Sequence, residues 1–170
     1  MNHLVRTVSE DDWAALRSIR LKALADSPSS FGSTFAREQA FTEELWRERA
    51  RGSATTRLFL ASKERAAIGV AGVFDEGDGS VQLVSVWVSP EHRCRGVGRA
   101  LTTAALRFAA ERGFVIVRLW VTDGNATARA LYEHLGFTPT GKRQPLPSDP
   151  ALEEHELELR QSPTVGAPRG

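Results

Sequence analysis

Apolar residues along this chain recur in two rhythms, and the changes between them mark out the elements. Residues 4–8 predict a short first strand. Ser9 stands three residues before Asp12, an acidic cap for a helix opening at about Glu10. Trp13, Leu16, Arg20 and Leu24 follow at helical spacing, with Ile19 and Ala23 beside them, and residues 26–30 end that helix. Residues 31–35 read as a loop with two aromatics. Residues 37–51 read as one second helix carrying Phe41, Leu45 and Trp46. Gly52-Ser53 then breaks the pattern, and the rhythm shortens to that of strands. Residues 57–63 and 66–75 form a hairpin across Glu64-Arg65, and a turn at residues 75–79 leads into a third strand at 81–88. A helix over residues 96–112 ends at Gly113, a strand covers 115–121, and a helix over about 125–135 ends at Gly136. Residues 137–143 and 153–160 read as strands separated by a rigid proline-rich loop at 144–150. Residues 1–160 are expected to form one domain, and 161–170, polar and rich in Pro and Gly, a flexible tail.

Composition narrows the class without naming a function. Of 170 residues, 41% are hydrophobic and 25% charged, as in a soluble globular protein. A net charge of +1 gives no argument for nucleic acid or a membrane as partner. No apolar run approaches the ~20 residues of a membrane helix, and the first residues lack the apolar region of a signal peptide. Cys94 is the single cysteine, so an intramolecular disulfide is excluded and a reducing, cytoplasmic setting is expected.

The chemistry concentrates where the strand at 81–88 gives way to a helix. Pro90 ends the strand, and Arg93-Cys94-Arg95-Gly96-Val97-Gly98 precedes Arg99 and a good helix pattern. The first amides of a helix lack intrahelical partners and sit at the positive end of its dipole. Gly96 and Gly98 permit close backbone approach, and Arg93, Arg95 and Arg99 add full charge, so the natural guest is a pyrophosphate. A dinucleotide fingerprint fails because Leu101 stands at its third glycine, and the Gly-Lys-Ser/Thr ending of a nucleotide P-loop is missing. The stretch does resemble the coenzyme A loop of the GNAT N-acetyltransferase superfamily, Arg/Gln-x-x-Gly-x-Gly/Ala, through Arg93, Gly96 and Gly98, preceded by Val86-Trp87-Val88-x-Pro90. A second hallmark of that family, Asn-x-x-Ala-x-x-Leu-Tyr-x-x-x-Gly-Phe, is matched in register by Asn125, Ala128, Leu131, Tyr132, Gly136 and Phe137.

That resemblance implies an α/β GNAT fold: a mixed central sheet of about seven strands flanked by helices, with splayed central strands holding acetyl-CoA. It implies that Val86 and Val88, around Trp87, offer backbone bonds to the pantetheine arm, and that Cys94, Arg95, Gly96, Val97, Gly98 and Arg99 wrap the pyrophosphate with Arg93. Asn125 would bond the pantetheine side, and Tyr132 would face the thioester sulfur. The reaction is direct attack of a primary amine on the acetyl carbonyl. Tyr132, the only tyrosine, is the candidate acid for the departing thiol, since a phenol remains protonated at neutral pH. The Val88 amide is a candidate oxyanion donor. Histone-type relatives carry a glutamate base where this chain has Gln82, so the proton goes to another group, with Glu38, Glu43, Glu44, Asp75, Glu76 and His155 available, or through a water relay. The acceptor is expected to be a small molecule: an amino acid, a polyamine or an antibiotic amine. Alternatives are a protein α-amine or lysine, or a non-catalytic acyl-CoA sensor. Homodimers are common in the superfamily.

Other readings of these residues are plainer. Cys94 has no accompanying His–Asn or His–Asp set and reads as a bystander. The histidines at 3, 92, 134 and 155 lack metal-ligand spacing, so no metal is expected. The four tryptophans read mostly as core, while Phe31, Phe35 and Trp46 fall where the resemblance places acceptor-site loops.

Overall fold

The computed structural model describes residues 2–164. Its elements are β1 (Leu4–Thr7), α1 (Trp13–Asp26), α2 (Phe35–Gln39), α3 (Glu43–Arg51), β2 (Arg57–Lys63), β3 (Ala66–Asp75), β4 (Val81–Val88), α4 (Val97–Glu111), β5 (Ile116–Thr122), α5 (Ala126–His134), β6 (Thr138–Leu146) and β7 (Asp149–Arg160). The strands make one seven-stranded sheet in the order β1-β2-β3-β4-β5-β7-β6. Pairing is antiparallel except between β4 and β5, which run parallel.

Both faces of the sheet are covered, and strand alternation assigns side chains to each. On β2, Phe59 and Ala61 join the core under α4, while Leu60 joins the core under α1 and α3. Helix α4 turns Val97, Leu101, Ala105, Phe108 and Ala109 inward at helical spacing. It lies so close to β3 that a Cβ on Gly69 would sit 2.9 Å from Leu101 Cδ1 and 3.0 Å from the Trp87 carbonyl oxygen. Only glycine fits there. On the opposite face α1 buries Leu16, Ile19, Ala23 and Leu24, and α3 buries Trp46. The Ser9–Asp12 cap forms as expected, with the Asp12 carboxylate accepting from the Ser9 amide at 2.8 Å and from Arg6. The β2–β3 turn puts Glu64 (φ 50°) and Arg65 (φ 71°) both in the left-handed region, the backbone of a two-residue hairpin.

Two expectations are corrected. Residues 37–51 are two helices, because Thr34 and Thr42 each accept a hydrogen bond from the backbone amide three residues on and cap separate starts. Residues 144–150 are not a loop: β6 continues to Leu146 and β7 begins at Asp149, leaving Pro147-Ser148 as the turn. Prolines misled the pattern because β6 is an edge strand, where Pro145 can pair with Glu153 while its missing donor interrupts no ladder. Within the segment expected to be a tail, the Gln161 amide donates to the Val115 carbonyl at 2.8 Å and Thr164 donates to Ala110. Residues 165–170 lie outside the described residues. Among the described residues, no helix is long and apolar enough to cross a membrane.

Candidate active site

The site is built on a failure of pairing. Strands β4 and β5 are paired only at Val81–Val117 and Gln82–Arg118, after which they part. A bulge in β4 helps to turn it away: Val70 faces Trp87 and Gly72 faces Val84, so Ala71 stands against both Ser85 and Val86. Ser85 carries the strained backbone of that bulge at φ 60°. Its hydroxyl accepts from Arg20 at 3.2 Å, which ties the bulge to α1. Beyond the bulge, the Ser89 amide donates to Ile68 on β3 at 2.9 Å. Alternation then turns the N–H and C=O of Val88 towards the gap.

One side of the gap opens into a cavity of about 810 Å³ lined by the β4 end, the loop that follows, and the start of α5. Gly96 caps α4 in the left-handed region (φ 79°), a conformation that explains its identity. The first α-helical bond is donated by Ala100 to Gly96 at 2.9 Å, which leaves the amides of Val97, Gly98 and Arg99 at the open end of the helix. A Cβ on Gly98 would make only ordinary contacts, 3.5 Å to Leu131 and 3.6 Å to Val88, in keeping with a Gly/Ala position. Cys94 is exposed and also left-handed (φ 57°).

Of the residues expected to hold the cofactor, Val86, Trp87, Val88, Arg93, Cys94, Gly96, Val97, Gly98, Arg99, Asn125 and Tyr132 line this cavity, though not always through their side chains, whereas Arg95 does not. Arg93 lines the cavity, yet its Nε donates to the Val88 carbonyl at 3.0 Å and its Nη2 pairs with Asp26. Asp26 in turn accepts from Trp87 Nε1 at 3.0 Å. Arg93 and Trp87 therefore fasten the loop to α1, through an aspartate whose role no motif announced. Val97 buries its side chain in the core and leaves its backbone at the helix end. Asn125 caps α5 by accepting from the Ala128 amide, and its Nδ2 reaches Ser30 Oγ at 3.4 Å. Tyr132 packs edge-on against Phe137 at 5.8 Å, and burial pushes its phenol well above the usual range, so it holds its proton.

The other side of the gap opens into a second cavity of about 730 Å³. Val86, Thr122, Asn125, Ala128 and Tyr132 line both. The chain after α1 closes over this side: Thr122 Oγ1 donates to the Ser29 carbonyl at 2.8 Å, and Ser148 in the β6–β7 turn donates to Phe31. Of the aromatics expected here, Phe31 lines the cavity. Phe35 does not, and Trp46 is fully buried beneath the Arg49 guanidinium, 5.0 Å from its ring centre. Trp46 had the spacing of a core residue and is one.

The candidate bases sort by position. Glu38 lines the cavity but is held by Arg20 at 2.9 and 3.0 Å and by Arg49 at 3.1 Å. Burial works to raise its carboxyl, but the hydrogen bonds and charges of Arg20 and Arg49 outweigh this and hold it below the usual range. Glu43 is exposed and pairs with Arg47, and His155 pairs with Asp123; neither they nor Glu44, Asp75 and Glu76 line the cavity. Glu154, which sequence reasoning missed, does line it. It is 7% exposed, opposite Thr122 in the β5–β7 register, and accepts from Gln144 Nε2 at 2.6 Å. Burial pushes its carboxyl above the usual range, opposed only in part by that hydrogen bond. The alternation of Glu154, Glu156 and Glu158 with Leu157 and Leu159 was the available signal, but it reads first as a solvated strand face. Among the described residues, no group of three or more His, Cys, Asp or Glu is placed to hold a metal ion.

Comparison with known proteins agrees with this geometry. The model of the family described as Acetyltransferase (GNAT) matches residues 16–137. A mycothiol acetyltransferase from Thermobispora bispora is 34% identical over 135 residues, covering 76% of this chain and 43% of that protein. One from Beutenbergia cavernae is 45% identical over 82 residues, covering 39% and 27%. The chain thus spans less than half the length of these curated relatives. Among solved structures, a GCN5-related N-acetyltransferase from Kribbella flavida superposes with a TM-score of 0.75 at 20% identity, covering 94% of this chain and 98% of that one. A putative acetyltransferase from Salmonella typhimurium, solved with its cofactor acetyl-CoA, gives 0.70 at 20% identity, covering 99% of both. These structures share the fold.

Proposed function

We propose, from the premise that this chain belongs to the GNAT acetyltransferase family and is an acetyl-CoA-dependent acetyltransferase, that it acetylates the primary amine of a small-molecule acceptor. The observation that carries this reading is the pair of cavities on either side of the parted strands, which meet at Tyr132. Two substrates can enter from opposite sides and touch in the gap. A volume of about 730 Å³ on the acceptor side is that of a small-molecule pocket.

The residues present suit acetyl-CoA. The backbone of Val86 and the second lone pair of the Val88 carbonyl, which also accepts from Arg93, face the gap and would pair with the amides of a pantetheine arm, leaving the Val88 N–H for the reacting carbonyl. The open amides of Val97, Gly98 and Arg99, with Arg95 and Arg99 on the same loop and helix start, would hold the pyrophosphate. Once bound, acetyl-CoA supplies the acetyl group and a thiol leaving group. Glu154 takes the proton of the incoming ammonium, because its raised affinity for protons brings it closer to the amine. The Val88 N–H donates to the oxygen on which negative charge develops. The Tyr132 hydroxyl protonates the departing sulfur.

The test is thiol release from acetyl-CoA with panels of amino acids, polyamines, aminoglycosides and short peptides. Release with one class of small amine, reduced on the order of 10²-fold or more in Tyr132→Phe with acetyl-CoA affinity kept, is the expected result. Equal turnover of both proteins removes Tyr132 from the mechanism. Turnover confined to peptides overturns the small-molecule acceptor.

A further inference from the structure

The second cavity is walled on its α1–α3 side by more positive charge than the fold itself neutralises. Arg20, Arg37 and Arg49 all line it, and Glu38 is the one carboxylate among them. Glu38 has little left to offer: Arg20 grips both its oxygens, and Arg49 shares Oε2. Arg37, exposed on α2, makes no ion pair among the described residues. Three guanidinium groups facing one carboxylate leave two unbalanced positive charges on one wall of a partly enclosed site.

The arrangement is also held rigid. Arg20 lies over the Phe31 ring at 4.7 Å, and Arg49 lies over Phe41 and Trp46 at 5.4 and 5.0 Å. These cation–ring contacts, with the bonds to Glu38, hold both guanidiniums in place. Burial lowers the Arg49 guanidinium from its ordinary value, Glu38 opposes this, and the charges of Arg20 and Arg37 add to the lowering. Repulsion of that kind is relieved by an anion. Glu154 lines the same cavity from β7 rather than from α1–α3, so its carboxylate and the arginines come from different elements.

We infer that the acceptor is an amine that also carries an anionic group, of the α-amino acid kind, whose carboxylate is held by Arg37 and Arg49 while its ammonium meets Glu154. This rests on the acetyl-transfer reading and chooses among its acceptors. A polyamine or aminoglycoside would bring further positive charge against the arginine wall. An amino acid neutralises it and brings one charge for the arginines and one for Glu154. Charge-assisted, two-point guanidinium–carboxylate bonds also discriminate sharply against the uncharged amide of the same shape.

The experiment compares kcat/KM for free L-amino acids and for the corresponding L-amino acid amides, with spermidine as a polycation. It is run with wild type, Arg37→Gln and Arg37→Lys. The acid-to-amide ratio is read within one protein preparation, so any loss of folded enzyme cancels. In wild type, the preferred acid is expected to exceed its amide by about tenfold or more, and spermidine to be the poorest acceptor. In Arg37→Gln that ratio falls about tenfold, mainly through KM, and Arg37→Lys restores part of it. Amides or spermidine acetylated as fast as the acids, or a ratio unmoved in Arg37→Gln, overturns the anion site and leaves acetyl transfer standing. No thiol release with these amines while aminoglycosides or peptides are acetylated overturns the amino-acid acceptor; no release with any of these classes, with acetyl-CoA binding intact, overturns the acetyl-transfer reading beneath it.

Discussion

Glu154 and Tyr132 hold the same condition for opposite purposes. Both are buried, and burial disfavours the charged form of each. For Tyr132 that keeps a proton available to give. For Glu154 it raises the pH at which the carboxyl becomes a base. Only the deprotonated form accepts a proton, so kcat/KM should fall as pH drops through the raised Glu154 value. Glu154→Gln should lose that limb and about 10²–10⁴ in rate, read from pH–rate profiles of both proteins. An unchanged limb would assign it to another group. Linkage has a definite sign here. A carboxyl whose folded value is raised favours the folded state below its unfolded value and loses that contribution as pH rises through the folded one. Wild type should therefore lose stability relative to Glu154→Gln towards neutral pH, as seen in melting temperatures measured across pH.

Among the elements, the consequential feature is the bulge of β4, and it is where local rules give way. Ser85 stands at φ 60°, where a non-glycine side chain is disfavoured and a β-branched one more so. Ser85→Val should cost about 1–3 kcal/mol by denaturant unfolding and weaken acetyl-CoA binding in calorimetry, because straightening β4 closes the gap. Ser85→Gly should keep the gap. Gly69 answers to the approach of α4, not to its backbone angle. A Cβ there meets Leu101 and the Trp87 carbonyl, so Gly69→Ala should destabilise by about 1–3 kcal/mol in the same unfolding measurement. Neither position was legible beforehand. The pattern of residues 81–88 announces a strand, and nothing in it distinguishes a continuous ladder from one with an extra residue. The glycine–arginine loop and the start of α4 were legible as local structure, because glycines, arginines and helix start lie within a few consecutive residues and act through local backbone.

Across the whole molecule, the second cavity draws its lining from α1, α2, α3, β4, β5, α5 and the β6–β7 hairpin, spread from Arg20 to Glu154. Its cover is held by bonds between distant parts of the chain: Thr122 to Ser29, and Ser148 to Phe31. Ser148→Ala removes one of them without touching the cavity lining. It should raise acceptor KM several-fold (a loss of about 1 kcal/mol), speed hydrogen exchange across residues 28–33, and leave acetyl-CoA affinity unchanged. By itself, the sequence marked most of the order of elements, the glycine–arginine loop at the start of α4 and the position of Tyr132, since each depends on periodicity or on a motif of near neighbours. Only the tertiary structure decided that Glu154 rather than the other candidate carboxylates lines the cavity unpaired with an arginine, that Glu38 is spent on two arginines, and that Arg20, Arg37 and Arg49 share one cavity. Those are contacts between residues far apart in the chain, and burial and charge balance do not exist until the chain has closed around them.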